Sequence, residues 1–417
     1  MRLLHVISSI DPRGGGPIEG VVSSADVWRK HGHECDILTL DALDDAWVAK
    51  STSPIFAVGL NGRAYRAIRR AFPWLRYGYT PKLTSWLREN ARNYDAVILN
   101  GLWNYASWGS WRALRRLETP YFVYTHGMLD PWFNKAYPTK SLFKAIFWKL
   151  LENKVLRDAR GVLFTCEAER ELASRSFSPY AAREFVAGHG ARDVEGDAEA
   201  QRAAFAARFA ALRDRKFILF LGRLHPKKGI DLLIRAFARH AAVFPDFDLV
   251  VAGPDQTSME SDLRRLARDL GVADRMHWPG MLSGDAKWGA FRLARFFALP
   301  SHQENFGIAV AESLAVATPV LITHKVNVWR EIEADGAGVV VSDDVEGVAV
   351  GLYRMCALLD GERDLMARRG RDSFLKRYDI EPNAMNLLAL IAAETKPRAL
   401  EREGRPASID PLVENQS

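Results

Sequence analysis

The sequence has 417 residues, of which 48% are hydrophobic and 26% are charged, and its formal net charge is +6. These values predict a soluble globular protein of two domains rather than one or three. The positive charge is too small to indicate a nucleic-acid partner, but it suits an anionic one such as a nucleotide, a pyrophosphate or an acidic membrane surface.

The sequence favours a cytoplasmic protein. It contains no run of about 18 apolar residues that could span a membrane. Residues 1–8 are too short for the apolar part of a signal peptide, and no small-residue cleavage pattern follows them. Cys35, Cys166 and Cys356 lie far apart, without a CxxC or Cys/His cluster. We therefore expect reduced cysteines and no disulfide.

The first half of the chain alternates short apolar runs with amphipathic stretches, which predicts a parallel sheet wound on both faces. Helical patterns cover residues 21–30 and 141–157. The predicted strands cover residues 3–8, 35–40, 96–99, 121–124, 162–166 and 185–187.

A polar, Ala-rich stretch at residues 193–215 is predicted to be a linker with a helix, and the alternation then restarts. Predicted strands cover residues 217–221, 248–252, 296–299 and 320–323, and predicted helices cover residues 229–242, 259–270 and 310–316.

We therefore predict an α/β protein with two Rossmann-like, doubly wound domains, residues 1–195 and 215–380, that face each other across a cleft. Ligands of such sheets bind outside the carboxyl ends of the strands. A helix near residues 380–394 is expected to pack back on the first domain, and the polar tail at 395–417 is expected to be disordered.

Glu304 and Glu312 form the most informative pair. Glu304 follows a predicted strand, and Glu312 lies on the next helix. The turn between them contains Asn305, Phe306 and Gly307, and it exposes backbone N–H groups at the helix start. This arrangement offers carboxylates to sugar hydroxyls and amides to a phosphate.

Arg223 and Lys228 stand in the turn between the strand that ends at Leu221 and the helix that begins after Gly229. An arginine can bind a phosphate with two parallel hydrogen bonds, and a lysine adds a point charge, so the two could neutralise a diphosphate leaving group. A surface turn with solvated basic residues explains the same pattern equally well.

Two further motifs follow strands of the first domain. Gly15 and Gly16 come after the first strand, where glycine lets the backbone approach an anion closely, although a flexible turn is an equal alternative. His126 follows the strand 121–124 and is placed to face the cleft, although a lone histidine is more often structural.

Two more segments were considered. Residues 278–283 follow a predicted short strand and could wrap a nucleobase with backbone groups or be only a turn. Asp246 and Asp248 precede a strand at its amino end, so we predict a solvated turn there rather than a metal site.

In this order, the segments resemble the family-four glycosyltransferases, which are retaining enzymes of the GT-B fold. The resemblance covers nearly the whole chain and is densest over residues 217–341. Its specific parts are Gly-Arg-Leu-(three residues)-Lys-Gly-Ile-Asp-Leu-Leu and Pro-Ser-(two residues)-Glu-Asn-Phe-Gly-Ile-(three residues)-Glu. Residues 126–132 are also similar to bacterial enzymes of exopolysaccharide and lipopolysaccharide O-antigen biosynthesis.

The resemblance implies a role for each of these residues. Glu312 would hold the donor's ribose hydroxyls and Glu304 the hydroxyls of the transferred sugar. Arg223 and Lys228 would stabilise the departing nucleoside diphosphate, and His126 would lie beside the donor sugar near the acceptor. Further donor contacts would come from Gly15 and Gly16 in the first domain and from Met281, Asn305, Phe306, Gly307 and Ile308 in the second.

The chain departs from the family's pattern at two turns. Residues 187–193 replace the Asn-Gly-Ile-Asp that is frequent in the family, which puts the contacts at that turn in doubt. Ala317 stands before Thr318-Pro319 where a glycine is usual, and we expect only the turn to change.

Together these features predict a hexosyltransferase that uses a GDP- or UDP-sugar and a growing, lipid-linked or oligosaccharide acceptor. No cofactor and no metal are expected. Two basic, aromatic segments, residues 63–92 and 137–157, suit peripheral docking on the cytoplasmic face of an anionic inner membrane, although core-packed amphipathic helices are an equal alternative.

Three other functions are alternatives. A nucleotide-sugar epimerase or phosphorylase could use the same fold. A non-catalytic scaffold of a polysaccharide assembly complex is less favoured, because charged motifs stand in both domains. A dinucleotide oxidoreductase would need GxGxxG and an acidic residue about twenty positions further on, and neither half of the chain offers them.

Overall fold

The structure is a computed structural model that describes residues 1–50, 54–60, 77–213, 215–256 and 258–395. The chain divides into two units, Met1–His189 with the segment from Ile380 onward, and Gly190–Asp379. The second unit therefore begins well before residue 215, since the predicted linker buries Phe205 in the core of that unit. Positions 63–76 of the first basic segment and the tail from 396 lie outside the described residues.

The first unit is built on a parallel sheet in the order β3-β2-β1-β4-β5-β6-β7. Every residue of the fourth and fifth strands is buried, as expected where helices cover both faces of a parallel sheet. The strands are β1 (Arg2–Ile7), β2 (Glu34–Thr39), β3 (Ile55–Ala57), β4 (Ala96–Asn100), β5 (Tyr121–Tyr124), β6 (Gly161–Phe164) and β7 (Glu184–Val186).

The predicted helix over residues 141–157 begins earlier, at Pro138, because a proline fits the first helical turn. A π-helical turn, Trp148–Glu152, interrupts it. The helices of this part are α1 (Gly16–Lys30), α2 (Ala46–Ala49), α3 (Pro81–Asn90), α4 (Tyr105–Leu114), α5 (Trp132–Ala136), α6 (Pro138–Phe147), α7 (Asn153–Arg157) and α8 (Glu167–Ala173), with 3-10 turns at Pro12–Gly14 and Ala91–Asn93.

The second unit is built on a parallel sheet in the order β10-β9-β8-β11-β12-β13. Two short strands form its edges, of which Gly338–Val341 was not predicted and the other was predicted only as a short strand before residue 278. One of them contains Trp278 and Pro279, which were considered as part of a turn, and an edge strand tolerates proline. The strands are β8 (Lys216–Leu221), β9 (Phe247–Ala252), β10 (Met276–Gly280), β11 (Phe296–Leu299), β12 (Val320–Thr323) and β13 (Gly338–Val341).

The helices of the second unit bury one apolar face against its sheet. In Ile230–His240, for example, Ile230, Leu233, Ile234 and Phe237 are buried at helical spacing. The helices are α9 (Ala198–Arg208), α10 (Ile230–His240), α11 (Glu260–Asp269), α12 (Gly284–Leu293), α13 (Ile308–Ala315), α14 (Trp329–Asp335), α15 (Val345–Ala357) and α16 (Asp360–Ser373). Further turns are the 3-10 turns Ala210–Leu212, Pro226–Lys228 and Ala273–Arg275 and the π-helical turn Phe374–Tyr378.

The last helix of the described chain, α17 (Ile380–Glu394), belongs to the first unit. It packs beside α1, where the Trp28 indole donates a 2.8 Å hydrogen bond to the Ala384 carbonyl. Leu388 and Ile391 are buried in the same cluster as Leu3 of β1. None of the helices in the described ranges combines the length and the apolar composition that crossing a bilayer requires.

Candidate active-site residues in each unit

The basic turn after β8 is compact because a glycine closes it. Gly229 has φ +64°, and a side chain there would collide with the Pro300 carbonyl that follows β11. The His225 side chain accepts a 3.2 Å hydrogen bond from the Lys227 amide and caps the 3-10 turn. The turn therefore holds its lysines against the carboxyl end of β11, while Arg223 is exposed.

Lys228 forms an ion pair with Glu304, and the two side chains are only 13% and 14% exposed. Beside them, Lys227 Nζ donates a 3.2 Å hydrogen bond to Gln303. Burial raises the pKa of Glu304, but Lys228, Lys227 and Arg223 outweigh that effect and hold the pKa below its usual value. Glu304 is therefore ionised at neutral pH within a cluster of net positive charge.

The backbone of Glu304 is fixed by the segment that follows β12. Its amide donates to the Lys325 carbonyl at 2.9 Å, and its carbonyl accepts from the Asn327 amide at 3.0 Å. The Asn327 side chain also donates to Asn305 Oδ1 at 3.3 Å. Two neighbouring strand ends thus position this carboxylate.

The helix α13 begins directly after this segment. Gly307 precedes it with φ +70°, a left-handed conformation that glycine adopts without strain. Phe306 is buried and meets the ring of Tyr378 edge-on at 5.7 Å. The first amides of the helix have no intrahelical acceptor, so this end of α13 favours an anion.

Glu312 lies one turn further along α13 and is buried, 3% exposed. It forms an ion pair with Lys287 of α12. Both glutamates of the sequence motif are therefore neutralised by a lysine from a different element.

Met281 follows β10, two strands away from β8 in the sheet, and its side chain is 62% exposed. Beside it, the Gly280 carbonyl accepts a 2.8 Å hydrogen bond from the Gly253 amide after β9. The Arg264 guanidinium stacks on Trp278 at 5.0 Å. Met281 thus lies apart from the charged cluster, on the side of the sheet where β9 and β10 end.

The prediction of a solvated turn at Asp246 and Asp248 is wrong for Asp248. This residue lies within β9 and is buried. It pairs with Arg215 and with His277, whose Nε2 lies 2.9 Å from a carboxylate oxygen. Arg215 stands directly before β8 and His277 lies in β10, the two strands beside β9, so Asp248 is a structural charge.

In the first unit, the glycines lie at the start of α1. Gly15 is the N-cap residue with φ +90°, and Gly16 is the first helical residue. One turn later Gly20 packs against the His189 ring, which leaves no room for a side chain. The amides of this helix start therefore stand at the carboxyl end of β1.

His126 stands at the carboxyl end of β5 in a left-handed conformation, with φ +50°. Its ring stacks on Tyr124 at 4.7 Å, and its Nε2 lies 3.1 Å from Asn100 Oδ1. Desolvation, with contributions from His189 and His5, keeps the pKa of His126 well below its usual value. The ring is therefore neutral at physiological pH.

Asn100 decides which nitrogen of His126 carries the proton. The Asn100 Nδ2 group lies 3.1 Å from the Ile98 carbonyl and 3.3 Å from the Val6 carbonyl, both of which only accept hydrogen bonds. This fixes Oδ1 on the side of His126, so Nε2 must donate to it. The Nδ1 atom of His126 is then a hydrogen-bond acceptor, which suits a sugar hydroxyl.

Glu169 ties the turn that carries His126 to the end of β6. It is buried, and it accepts hydrogen bonds from the Thr125 hydroxyl at 2.6 Å and from the Gly127 amide. Its second oxygen accepts from the amide and hydroxyl of Thr165, each at 2.7 Å. The strained backbone of His126 is therefore held on both sides.

The structure brings Arg223, Lys228 and Glu304 together in the second unit, with Glu312 further along the helix that follows. Sequence reasoning missed the residues that support these side chains and His126, because most of them come from other elements. Asn100 ends a strand and Glu169 lies in the first turn of a helix, and these positions were the only available signal. The missed residues are His5, Asn100, Glu169, His189, Lys227, Lys287 and Asn327.

Two protein families match the chain. The family "Glycosyl transferase 4-like domain" matches residues 15–190, which ends where the first unit ends. The family "Glycosyl transferases group 1" matches residues 202–356, within the second unit.

The chain is also similar to proteins of known name. It is 30% identical over 184 residues to D-inositol 3-phosphate glycosyltransferase from Mycobacteroides abscessus, covering 44% of this chain and 39% of that protein. It is 34% identical over 144 residues to phosphatidyl-myo-inositol mannosyltransferase from Mycolicibacterium smegmatis, covering 34% and 36%. The matched part thus spans less than half the length of these relatives.

Among solved structures, Anabaena HepE in complex with UDP and glucose superposes with a TM-score of 0.72 at 15% identity. The superposition covers 94% of this chain and 100% of that one. At this identity the likeness concerns the fold, and it agrees with the two parallel sheets described above. The chain therefore belongs to the glycosyltransferases of the GT-B fold, with a 4-like domain followed by a group 1 domain.

Proposed function

We propose that the chain is a retaining glycosyltransferase that moves a hexose from a GDP- or UDP-sugar to a growing, lipid-linked polysaccharide. The observation that carries this proposal is the Lys228–Glu304 pair beside Lys227, Arg223 and the start of α13. It combines a carboxylate for sugar hydroxyls with cations and amides for a diphosphate.

The chemistry of the leaving group favours this assignment. When the sugar–phosphate bond breaks, negative charge develops on the diphosphate and positive character on the anomeric carbon. Arg223 and Lys228 would meet the negative charge together with the amides at the start of α13. These cations supply charge that a divalent metal would otherwise bring, so we propose transfer without a metal.

The two glutamates would bind rather than transfer protons. Glu304 is held ionised by its lysine neighbours, which suits hydrogen bonds from sugar hydroxyls and does not suit a general acid. Glu312 is buried against Lys287 and would accept hydrogen bonds from the ribose hydroxyls. Phe306, Gly307 and Ile308 would present backbone amides, and Met281 would contact the base.

Retention would follow from reaction on one face of the sugar. The acceptor oxygen bonds to the anomeric carbon on the side that the diphosphate leaves, and its proton passes to the leaving phosphate oxygen. In the first unit, His126 Nδ1 would accept a hydrogen bond from the donor sugar. Gly15 and Gly16 would offer backbone amides to the donor.

A lipid-linked acceptor is proposed on two grounds. One relative is named for mannosyl transfer to phosphatidyl-myo-inositol, which is a lipid. In addition, residues 126–132 are similar to those of exopolysaccharide and O-antigen enzymes. Docking of the protein on the cytoplasmic face of the membrane would give it access to such an acceptor.

The first test is a thermal-shift and donor-hydrolysis panel of UDP-, GDP- and ADP-sugars. We expect one nucleotide sugar to raise the melting temperature of the wild type but not that of Glu312→Gln. Glu346→Gln, at an exposed glutamate of the same unit, is the matched control and should respond like the wild type. A panel without any stabilising donor, in the presence of membrane lipid extract as well, would refute the donor site and favour the scaffold function.

A further inference from the structure

The helix α6 exposes an apolar face to solvent. The structure describes no buried residue in this helix. Leu142 is 65% exposed, Phe143 74% and Ile146 52%, and Leu150 in the following π-helical turn is 60% exposed. We call these four residues the apolar face. Single exposed apolar residues are common, but a cluster of this size marks an interaction site.

The spacing gathers these side chains on one side of the helix. Leu142 and Ile146 are four residues apart, Leu150 follows after four more, and Phe143 lies beside Leu142. Residues four apart are neighbours on a helix surface. The face is therefore continuous along about two turns.

The opposite side of the same segment fixes it to the first unit. The Trp148 indole donates a 2.6 Å hydrogen bond to the Pro179 carbonyl, and its ring stacks on Phe177 at 5.5 Å. Phe147 packs edge-on against Tyr77 at 5.4 Å, and Lys144 Nζ lies 4.5 Å from the ring centre of Trp103. One side of the segment thus packs against the first unit, and the apolar face on the other side stays exposed.

The charge around the face has one sign. Residues 131–151 contain four lysines and no acidic residue. Lys144 is turned towards Trp103, but Lys135, Lys140 and Lys149 are exposed. The acids that bound this range, Asp130 and Glu152, are both buried, and Glu152 accepts hydrogen bonds from Ser107 and from the Trp103 amide. Exposed lysines beside apolar side chains match the interface of an anionic bilayer.

We propose that the apolar face of α6 inserts into the surface of an anionic lipid bilayer, while Lys135, Lys140 and Lys149 contact the lipid phosphates. A protein partner would need acidic groups to match the lysines, whereas an acidic bilayer supplies both a hydrocarbon layer and negative charge. Docking through α6 rests on the proposed function, which supplies the reason to dock, since α6 begins twelve residues after His126.

The test is flotation of the full chain with vesicles, without donor or acceptor. We expect binding to phosphatidylglycerol–phosphatidylcholine vesicles to be at least about tenfold stronger than to phosphatidylcholine alone, and to weaken at high salt. Leu142→Gln, Phe143→Gln and Ile146→Gln together should lower binding by a further factor of about ten or more, because glutamine keeps helix propensity but not hydrophobic insertion.

Replacing Lys135, Lys140 and Lys149 by glutamine should remove the preference for anionic lipid. Val243→Gln with Val350→Gln, at two exposed valines of the second unit, is the control and should bind like the wild type. Equal binding to both vesicle types, or none, would overturn the proposal. So would a dimer of the wild type in sedimentation that the triple glutamine variant abolishes, since a second copy would then cover the face.

This experiment separates the two proposals. Vesicle binding does not involve the donor site, so a protein that binds vesicles but no nucleotide sugar would contradict only the proposed function. A protein that binds a donor but no vesicle would contradict only the membrane inference. Circular dichroism of each variant checks that the helix is retained.

Discussion

Asn100 Oδ1 accepts a hydrogen bond from His126 Nε2 at 3.1 Å, and this contact fixes the tautomer of the histidine. Asn100 cannot turn its amide around, because its nitrogen faces the carbonyls of Val6 and Ile98. Desolvation keeps His126 neutral, and the asparagine determines that Nδ1 is the acceptor. A histidine that binds a sugar hydroxyl through Nδ1 would depend on this arrangement.

The substitution Asn100→Asp tests the dependence. A carboxylate beside His126 would raise the pKa of the histidine, because it favours the imidazolium form. Charged His126 would lose its acceptor atom, so we expect kcat/KM for transfer at neutral pH to fall by about tenfold or more. The rate of the variant should recover as pH rises through the new pKa, whereas the wild type should show no such step.

Asn100→Ser is the control, since it removes the contact without adding charge. It should lower activity without creating the pH step. The melting temperatures of both variants measure the stability that is lost with the hydrogen bonds to Val6 and Ile98. For buried groups we expect this loss to be about 1–3 kcal/mol. A pH profile of Asn100→Asp that runs parallel to the wild type would contradict the tautomer argument.

Stability of the first unit should fall in mild acid because of its buried histidines. Burial lowers the pKa of His5 to about 3 and that of His189 to about 4. The unfolded chain titrates near 6.5, so it binds more protons than the folded chain below that pH. The stability is therefore complete above about pH 6.5 and is lost as pH falls towards these lowered values, by at most about 1.4 kcal/mol per pH unit for each histidine.

Urea unfolding at pH 7.5, 6.0 and 5.0 measures this loss. His5 is 2% exposed, and its Nδ1 lies 3.0 Å from Asn100 Nδ2, so His5→Gln keeps an acceptor there and removes the titrating ring. We expect the variant to show a smaller drop in unfolding free energy between pH 6.0 and 5.0 than the wild type. Equal drops would show that His5 does not contribute to acid sensitivity.

The fold could be predicted from the sequence because its strands are continuous apolar runs. Residues 121–124, 296–299 and 320–323 were predicted with the bounds that the structure has. The edge strands β3 and β13 were missed, and β10 was predicted only as a short strand before residue 278. They are short or contain residues such as Pro279, and edge pairing rather than local pattern stabilises them.

The charged motif residues of the candidate site could be predicted as well, since Arg223, Lys228, Glu304 and Glu312 follow strands or lie on the next helix. Their partners could not, because pairing depends on which strand ends become neighbours. Lys287 meets Glu312 from α12, 25 residues earlier in the chain. No local pattern links two such positions, so only the folded sheet reveals that both glutamates are paired.

Ala317 offers a test of backbone strain. It has φ +58° after α13, at the turn where related chains usually have glycine, so the left-handed turn is kept despite the side chain. A left-handed backbone costs a non-glycine residue about 1–2 kcal/mol. Replacing alanine by glycine removes this cost, but glycine gives the unfolded chain more conformational entropy, which cancels part of the gain. We expect Ala317→Gly to raise the unfolding free energy of the second unit by about 0.5–1 kcal/mol.

The control for this substitution is Ala311→Gly within α13, where the backbone is helical. It should lower stability by about 1 kcal/mol or more, from helix propensity and lost packing. Thermal or urea unfolding measures both. If the two glycine variants shift stability in the same direction, the left-handed conformation of Ala317 is not a source of strain.

Substitutions in the Lys228–Glu304 pair distinguish a structural role of Lys228 from a catalytic one. Lys228→Met would leave the Glu304 carboxylate in a poorly exposed site with less compensation, so we expect a loss of about 1–3 kcal/mol in stability and a rise in the pKa of Glu304. Adding Glu304→Gln should restore part of that stability, because the unpaired charge is gone. Transfer should not recover, since a cation that neutralises the leaving diphosphate contributes about 100-fold or more.

The test is a double-mutant cycle. Urea unfolding and donor turnover are measured for the wild type, both single variants and the double variant. The proposed roles require that stability and activity respond differently to the second substitution. If the double variant regains transfer along with stability, neither Lys228 nor the Glu304 carboxylate takes part in transfer, and the leaving group must be stabilised by other residues. If Lys228→Met alone transfers at the wild-type rate, the basic turn is not part of the donor site.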